Sequence, residues 1–333
     1  MRFSIILISL ILVSCKKELL VEFAPEKEES GLDVYLPEFI LEEMAEEGSK
    51  SQWSMLRKKE SQHFAVFWEE GFGTDPNSNT LPIEMRVDID DLLSKAEIYF
   101  NKNIELGFAE VGNGNSYLDQ YKLLIFLHYT EDWMATGAGY DDTIGAIWIS
   151  PSTCQPVGTV IAHEIGHAFQ YMVYCDLGGG SGYRYGFGPD GEGGNGFWEQ
   201  TAQYQAFKVY PESAFNDVDC YLDESNKTFT HEDMRYCSYW MHFFWEQKHG
   251  IDFIGKLWRT SIEPEDPIQA YMRITNIGIN EFHNEVFEAA SRFVTWDLDQ
   301  LRTLGSYSLN RNQTQFEKIG DKKYRIARED VLS

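Results

Sequence analysis

The chain has 333 residues, of which 43% are hydrophobic, and it carries 28 Lys and Arg against 53 Asp and Glu, a formal net charge of −25 at pH 7. This hydrophobic content is sufficient for a buried core, in one large domain or in two subdomains that share a cleft, and it excludes a disordered or fibrous chain. Such a negative chain repels phosphate groups, so the composition argues against binding to nucleic acid or to anionic lipid head groups.

The N-terminus, MRFSIILISLILVSCKKE, places one arginine before an apolar run. At about a dozen residues the run is too short to span a bilayer, but it has the length of a secretory signal. Its end, Leu12 to Cys15, resembles the lipobox of bacterial lipoproteins. The resemblance implies a signal peptide at residues 1–14 and a lipid on Cys15 that anchors the protein to a membrane; an ordinary cleaved signal is the alternative. Both predict a location outside the cytoplasm, in the cell envelope, at the periplasm or the outer-membrane surface.

Residues 15–50 are rich in Glu and Lys and hold one short amphipathic stretch, EFILEEMAEE. We interpret them as an acidic tether that has room for one helix. A domain then begins near Ser51. Residues 51–156 contain three apolar runs typical of strands, HFAVFW, YKLLIFLHY and TIGAIWIS, and a helical pattern over residues 87–106. This part of the chain is therefore predicted to be a mixed α+β lobe.

Residues 157–304 are predicted to form a mainly helical lobe, because long helical patterns follow one another there. They are interrupted at residues 178–196, where ten of 19 residues are glycine. Ordering such a stretch is costly in entropy, so we predict a mobile loop beside the site that controls substrate access. The alternative is a solvated spacer. Residues 305–333 are a polar tail without a distinct element.

Four cysteines follow the lipobox: Cys154, Cys175, Cys220 and Cys237. An even number of cysteines in a chain outside the cytoplasm indicates disulfides. If residues 157–174 form one helix, it is roughly 27 Å long and holds Cys154 and Cys175 too far apart to pair with each other. Two bridges would therefore join these two cysteines to Cys220 and Cys237. A single bridge or four free thiols are the alternatives.

The stretch VIAHEIGHAFQYMV, residues 160–173, carries the strongest functional pattern. His163 and His167 are four residues apart, so on a helix they share one face and can both reach an ion about 2 Å from each ring nitrogen. Glu164 is a costly charge on a helix with an apolar stripe unless a site uses it. In His-Glu-x-x-His metallopeptidases this carboxylate accepts a proton from water. The alternative is two histidines on a helix with no metal.

A catalytic zinc site needs three protein ligands and one open position. Metzincins supply the third from a histidine six residues after the second, where this chain has Val173, so that class is excluded. The downstream candidates for the third ligand are Asp190, Glu192, Glu199 and His231. Glu199 is preferred because it opens a predicted helix, and a helix holds a ligand more rigidly than a glycine loop does.

The sequence resembles the gluzincin metallopeptidases, the thermolysin-like group, through HEIGH, through WEQTA and through the later YCSYWMHFFWEQKHG. It is similar, more narrowly, to secreted families with His-Glu-x-Gly-His-x-Phe-Gln followed by Trp-Glu. The resemblance covers roughly residues 63–300. It implies an α+β domain with a small mixed β-sheet lobe, a mainly helical C-terminal lobe and an active-site cleft between them. It also implies a zinc ion bound by His163, His167 and Glu199, with Glu164 as the general base.

Other positions extend or depart from this pattern. Gln203 stands where many gluzincins have an aspartate that accepts a hydrogen bond from a ligand histidine, so the support of that histidine is neutral. Tyr236 is the preferred donor to a developing oxyanion, with Tyr239, on the same predicted helix face, as the alternative. Both could instead be core aromatics. The strand GAIWIS is expected to be the sheet edge that pairs with substrate, with Gly145 and Ala146 allowing close approach.

The function predicted from these residues is that of a lipid-anchored zinc metallopeptidase that hydrolyses a protein or peptide substrate, with no role for nucleic acid. A second hypothesis is a surface lipoprotein that keeps this fold and binds glycan or protein without cleaving it. A third is a purely structural zinc, which would leave Glu164 without a task.

Overall fold

The computed structural model describes residues 31–178, 180–183, 196–216, 218–224, 226–304, 315–321 and 323–327. The predicted signal peptide and the lipid on Cys15 fall outside these residues, as does most of the glycine-rich loop. Within the described part of the chain, no helix is both long enough and apolar enough to cross a membrane.

The fold is mixed α+β and contains one five-stranded mixed sheet. Its strands are β1 (Lys58–Glu60), β2 (Phe64–Trp68), β3 (Leu123–Leu127), β4 (Ala135–Tyr140) and β5 (Ile144–Ile149), in the order β1-β2-β3-β5-β4. The three central strands are parallel, and β1 and β4 pair antiparallel at the two edges. The three strands predicted from apolar runs are β2, β3 and β5. They are apolar throughout because both faces of the sheet are covered.

Most of the helices overlap predicted helical patterns, but those at Val218–Asp223 and Pro267–Thr275 were not predicted. They are α1 (Glu38–Glu47), α2 (Ile89–Glu105), α3 (Thr159–Leu177), α4 (Gly196–Phe207), α5 (Val218–Asp223), α6 (Trp240–His249), α7 (Phe253–Arg259), α8 (Pro267–Thr275) and α9 (Ile279–Phe293). Within the predicted polar tail, strands β6 (Gln315–Gly320) and β7 (Lys323–Ala327) form an antiparallel hairpin.

Helices α2 and α3 cover one face of the sheet, where the ring of Phe100 packs against both Phe64 and Phe169. The opposite face carries Phe126, which packs against Trp53 at a ring distance of 4.8 Å. Ile40 of α1 is fully buried in the same core. The packed chain therefore begins before residue 51, inside the segment interpreted from sequence as a tether.

The prediction that two disulfides join Cys154 and Cys175 to Cys220 and Cys237 is wrong. Cys220 and Cys237 are bonded to each other, with their Cα atoms 5.6 Å apart, so neither of them pairs with Cys154 or Cys175. The bridge joins α5 to the turn that precedes α6, two segments 17 residues apart in sequence. Helix α3 separates Cys154 from Cys175, as predicted. A single bridge was the alternative left open by the sequence.

The helical lobe buries one histidine in neutral form. His242 is fully buried, and its Nε2 lies 3.0 Å from the Thr201 hydroxyl oxygen. That hydroxyl donates its own proton to the Phe197 carbonyl, so it must accept from His242. Nδ1 of His242 has no hydrogen-bond partner among the described residues. Burial therefore lowers the pKa of His242 from 6.5 to about 3.

This burial predicts a loss of stability in acid. Unfolded His242 takes up a proton as the pH falls below 6.5, whereas the folded side chain does not until about pH 3. The free energy of unfolding should therefore fall by up to about 1.4 kcal/mol per pH unit between these values through this residue. Denaturant titrations of the wild type and His242→Gln at pH 6.5, 5.5 and 4.5 measure the difference, and we expect the shallower slope in the variant. Equal slopes in the two proteins would contradict the assignment.

Candidate metal centre

Helix α3 packs directly against the edge of the sheet because the residues of the sheet that face it there are glycines. A Cβ atom at Gly137 would overlap the Glu164 carbonyl oxygen, and one at Gly139 would overlap the ring of Tyr171. Both glycines belong to β4, on the face that meets α3. Their missing side chains let the backbone of β4 approach the helix that carries His163, Glu164 and His167.

The side chains of His163, His167 and Glu199 converge at one point. The Nε2 atoms of the two histidines lie 3.0 and 3.2 Å from Oε2 of Glu199, and the ligand atoms of all three residues lie within 4.8 Å of one another. Atoms that each bind one ion at about 2 Å in tetrahedral geometry are about 3.3 Å apart, so the three residues could hold a single metal ion. Two imidazoles and one carboxylate are a donor set that suits zinc.

Of the other third-ligand candidates, the structure describes His231, which is not part of this cluster. His231 is half-exposed and accepts a hydrogen bond from the backbone N–H of Asp233, at the start of a short turn. Asp190 and Glu192 lie outside the described residues. Among the described residues, Glu199 is therefore the side chain that completes a three-ligand set, from the first turn of α4.

The electrostatics of the cluster favour an anionic Glu199 beside a cation. Burial raises the pKa of the Glu199 carboxyl, but hydrogen bonds from His163 and His167 outweigh it and hold that pKa far below its usual range. Burial lowers the pKa of His167, and the hydrogen bond to Glu199 more than offsets it, so the pKa of His167 is raised. The carboxylate of Glu199 thus favours a positive charge beside it, which a divalent cation can supply in place of the proton on His167.

Glu164 lies beside this cluster and is only 7% exposed. Burial raises the pKa of its carboxyl; the charges of His163 and His167 and the backbone N–H of Gly137 act in the opposite direction and only partly offset it. A buried carboxylate with a raised pKa, adjacent to a potential metal site, is suited to accept and return a proton.

Each of the two histidines is held through its second ring nitrogen by a glutamine. Nδ1 of His163 lies 3.3 Å from Oε1 of Gln203, and Nδ1 of His167 lies 2.9 Å from Oε1 of Gln170. These contacts leave Nε2 of both rings free to face an ion. Gln203 was predicted as a neutral support. Gln170 was missed, although its position three residues after His167 on the same helix face could have indicated it.

The structure separates the two candidate tyrosines. Tyr236 is 46% exposed, its ring centroid lies 6.3 Å from that of His163, and burial followed by the charge of Glu199 raises its pKa. Tyr239 is buried, and its hydroxyl donates to the Ala214 carbonyl. The two do not share a helix face, because α6 begins only at Trp240. Only Tyr236 of the pair borders the site.

The prediction that GAIWIS forms the edge strand of the sheet is wrong. Strand β5, which contains GAIWI, lies between β3 and β4, so it is not an edge. Gly145 allows close approach, but of α3: a Cβ there would meet the Ala168 carbonyl oxygen of that helix. The edge beside the candidate metal centre is β4. The sequence ATGAGY was not recognised as a strand because it lacks the apolar run or alternation that identifies one.

The chain belongs to a family of unknown function, DUF6055, whose model matches residues 26–332. Searches of curated proteins and of solved structures gave no significant match.

Proposed function

We propose that this protein is a zinc-dependent peptidase of the gluzincin type, anchored outside the cytoplasm by a lipid on Cys15. The observation that supports it best is the convergence of His163, His167 and Glu199 next to the buried carboxylate of Glu164. A structural zinc alone would not require a fourth ionisable group, whose burial costs free energy, at the same point. The resemblance to gluzincins noted in the sequence supports the same assignment.

Zinc bound by these residues would supply a Lewis acid that polarises a peptide carbonyl and makes water more acidic. Glu164 then accepts a proton from the attacking water and returns it to the departing amine. The hydroxyl of Tyr236, on the side of His163 open to solvent, donates a hydrogen bond to the oxygen on which negative charge develops. Gln203 and Gln170 keep the two imidazoles oriented during the reaction.

Strand β4 offers backbone groups to an extended peptide. The N–H of Ser150 donates to the Met134 carbonyl, and hydrogen-bonded pairs alternate along an antiparallel ladder. Thr136, Ala138 and Tyr140 therefore bond to β5, while the backbone groups of Ala135, Gly137 and Gly139 point to the free edge, where the Gly137 N–H donates to the Glu164 carboxyl. A peptide added there lies beside Glu164, which Gly137 contacts. This supports a peptide substrate over a glycan.

The second candidate function is a surface lipoprotein that binds protein or glycan beside the candidate metal centre without cleaving it. The neutral Gln203, in place of a carboxylate, is the observation in its favour, since weaker support of His163 reduces the acidity of water at the site.

Metal analysis and peptide cleavage by the purified protein decide between these functions. We expect about one zinc per chain and cleavage of a mixed peptide library, read by mass spectrometry, that stops on chelation and returns with zinc. Alanine variants at His163, His167 and Glu199 should each lose the metal, because each removes one of three ligands. Bound zinc with no cleaved peptide would favour the binding lipoprotein. Full zinc retention by Glu199→Ala would show that another residue is the third ligand.

The tyrosine assignment predicts a selective kinetic effect. Tyr236→Phe removes one hydrogen-bond donor to developing charge, so kcat should fall by roughly 10²-fold while zinc content and KM change little. Tyr239→Phe is the matched control, because its hydroxyl bonds to the Ala214 carbonyl in the core. The control should lose some stability but retain kcat. A larger fall in kcat for Tyr239→Phe than for Tyr236→Phe would reverse the assignment.

A further inference from the structure

A series of hydrogen-bonded, buried amide side chains connects His167 of α3 to helix α2. Gln170 Nε2 donates to Gln205 Oε1 over 2.9 Å, and Gln205 Nε2 donates to Asn103 Oδ1 over 2.6 Å. Asn103 Nδ2 then donates to the Tyr99 carbonyl over 2.9 Å. The three amide side chains are at most 2% exposed. They connect α3, α4 and α2 in that order.

The last acceptor in this series, the Tyr99 carbonyl, fixes which group donates in every one of these hydrogen bonds. The Tyr99 carbonyl can only accept, so the Asn103 amide must turn its nitrogen to Tyr99 and its oxygen to Gln205. Gln205 is oriented in the same way, and its oxygen faces Gln170. The nitrogen of Gln170 also donates to the Trp198 carbonyl, 3.0 Å away, which again requires the amide oxygen to face His167.

We propose that these three amides act as a relay that fixes the tautomer and the ring orientation of His167 at the metal centre, and that Asn103 is a positioning residue for that centre. Since the oxygen of Gln170 faces Nδ1 of His167, that nitrogen must carry a proton, which leaves Nε2 as the nitrogen available to the metal. The reverse orientation would place the Gln170 oxygen against the oxygens of Trp198 and Gln205. The relay thus excludes the tautomer that cannot bind. The proposal rests on the proposed metal site, but not on hydrolysis.

The relay also explains three buried polar side chains that would otherwise be unfavourable in a core. Each buried amide costs free energy unless its donors and its acceptor are all paired. Hydrophobic residues of similar size would pack there without that requirement. Orienting His167 at one end of the relay gives their polarity a function.

Three variants of α2 test the relay through zinc affinity. Asn103→Leu removes the acceptor for Gln205 and lets the amides reorient, so the zinc Kd, measured by chelator competition, should rise by about 10-fold or more. Asn103→Asp, as the neutral acid, can still accept from Gln205 and donate to the Tyr99 carbonyl, so its Kd should stay within about threefold of wild type. Asn101→Leu is the matched control: Asn101 donates to the Glu97 carbonyl on the same helix but is exposed and outside the relay.

If Asn103 has a purely structural role, the order of the two variants changes. Asn103→Asp should then weaken zinc binding at least as much as Asn103→Leu, because it buries an acid. The Nδ1 proton of His167, observed by NMR of ¹⁵N-labelled histidine, gives a second readout. It should be protected from exchange in the wild type and in Asn103→Asp, and exchange faster in Asn103→Leu.

Wild-type zinc affinity and an unchanged Nδ1 signal in folded Asn103→Leu would overturn the relay and leave the peptidase proposal intact. Zinc binding that follows the predicted order, with no peptide cleaved by the wild type, would support the relay and overturn the peptidase. A wild type that binds no zinc would overturn both.

Discussion

Replacing Glu164 by glutamine is expected to abolish peptide hydrolysis, with a fall in kcat of at least about 10³-fold, while the protein keeps its zinc and its fold. Glutamine has nearly the shape of glutamate, but its amide cannot accept the proton that water must lose. Burial already makes this carboxylate costly, so the neutral amide should leave the free energy of unfolding equal or higher. Zinc content, thermal unfolding and cleavage of the same peptide separate these effects.

The matched control is Glu131→Gln, which makes the same chemical change at an exposed carboxylate on the loop before β4. It should cleave at the wild-type rate. Residual activity of Glu164→Gln within about tenfold of wild type would remove Glu164 from the role of base. Loss of zinc by this variant would instead assign the carboxylate to the metal, and either result would change the mechanism.

The parts of this fold that sequence predicts well are those with local, repeated signals. Helix α2 was predicted over residues 87–106 and is observed at Ile89–Glu105, because its apolar residues recur at helical spacing and Asp88 caps its first turn. His163, Glu164 and His167 follow the same rule, since one turn of helix suffices to bring them to one face. Their arrangement needs no information from elsewhere in the chain.

The remaining parts of the site depend on tertiary packing. Glu199 is 32 residues beyond His167, and only the packing of α4 against α3 brings the two together. The glutamines that orient the histidines resemble ordinary polar residues in the sequence, and their partners become apparent only when three helices are in place. The prediction of the cysteine pairing was wrong for the same reason, because no local sequence signal indicates the contact between α5 and the turn that precedes α6.

Strand β4 shows most clearly what the sequence could not reveal. Its glycines weaken any strand propensity, yet they fit there because the helix that carries His163 and His167 occupies the space of their side chains. A segment to which the sequence analysis assigned no element is thus an edge strand shaped by its neighbour. The most informative substitution in this strand is therefore the addition of a single methyl group.

Gly137→Ala is expected to reduce peptide cleavage by roughly 10²-fold or more and to destabilise the fold by about 1–3 kcal/mol. Its Cβ would overlap the Glu164 carbonyl oxygen and the Cβ of His167, atoms that no rotamer change can move, so β4 must shift away from α3. That shift moves the substrate-binding edge away from Glu164, whereas zinc, held by residues of α3 and α4, should remain bound. Thr136→Val, at the adjacent exposed position, adds no atom toward α3 and should change the rate less than threefold. Equal rates for Gly137→Ala and the wild type would show that close contact between this strand and α3 is not required for catalysis.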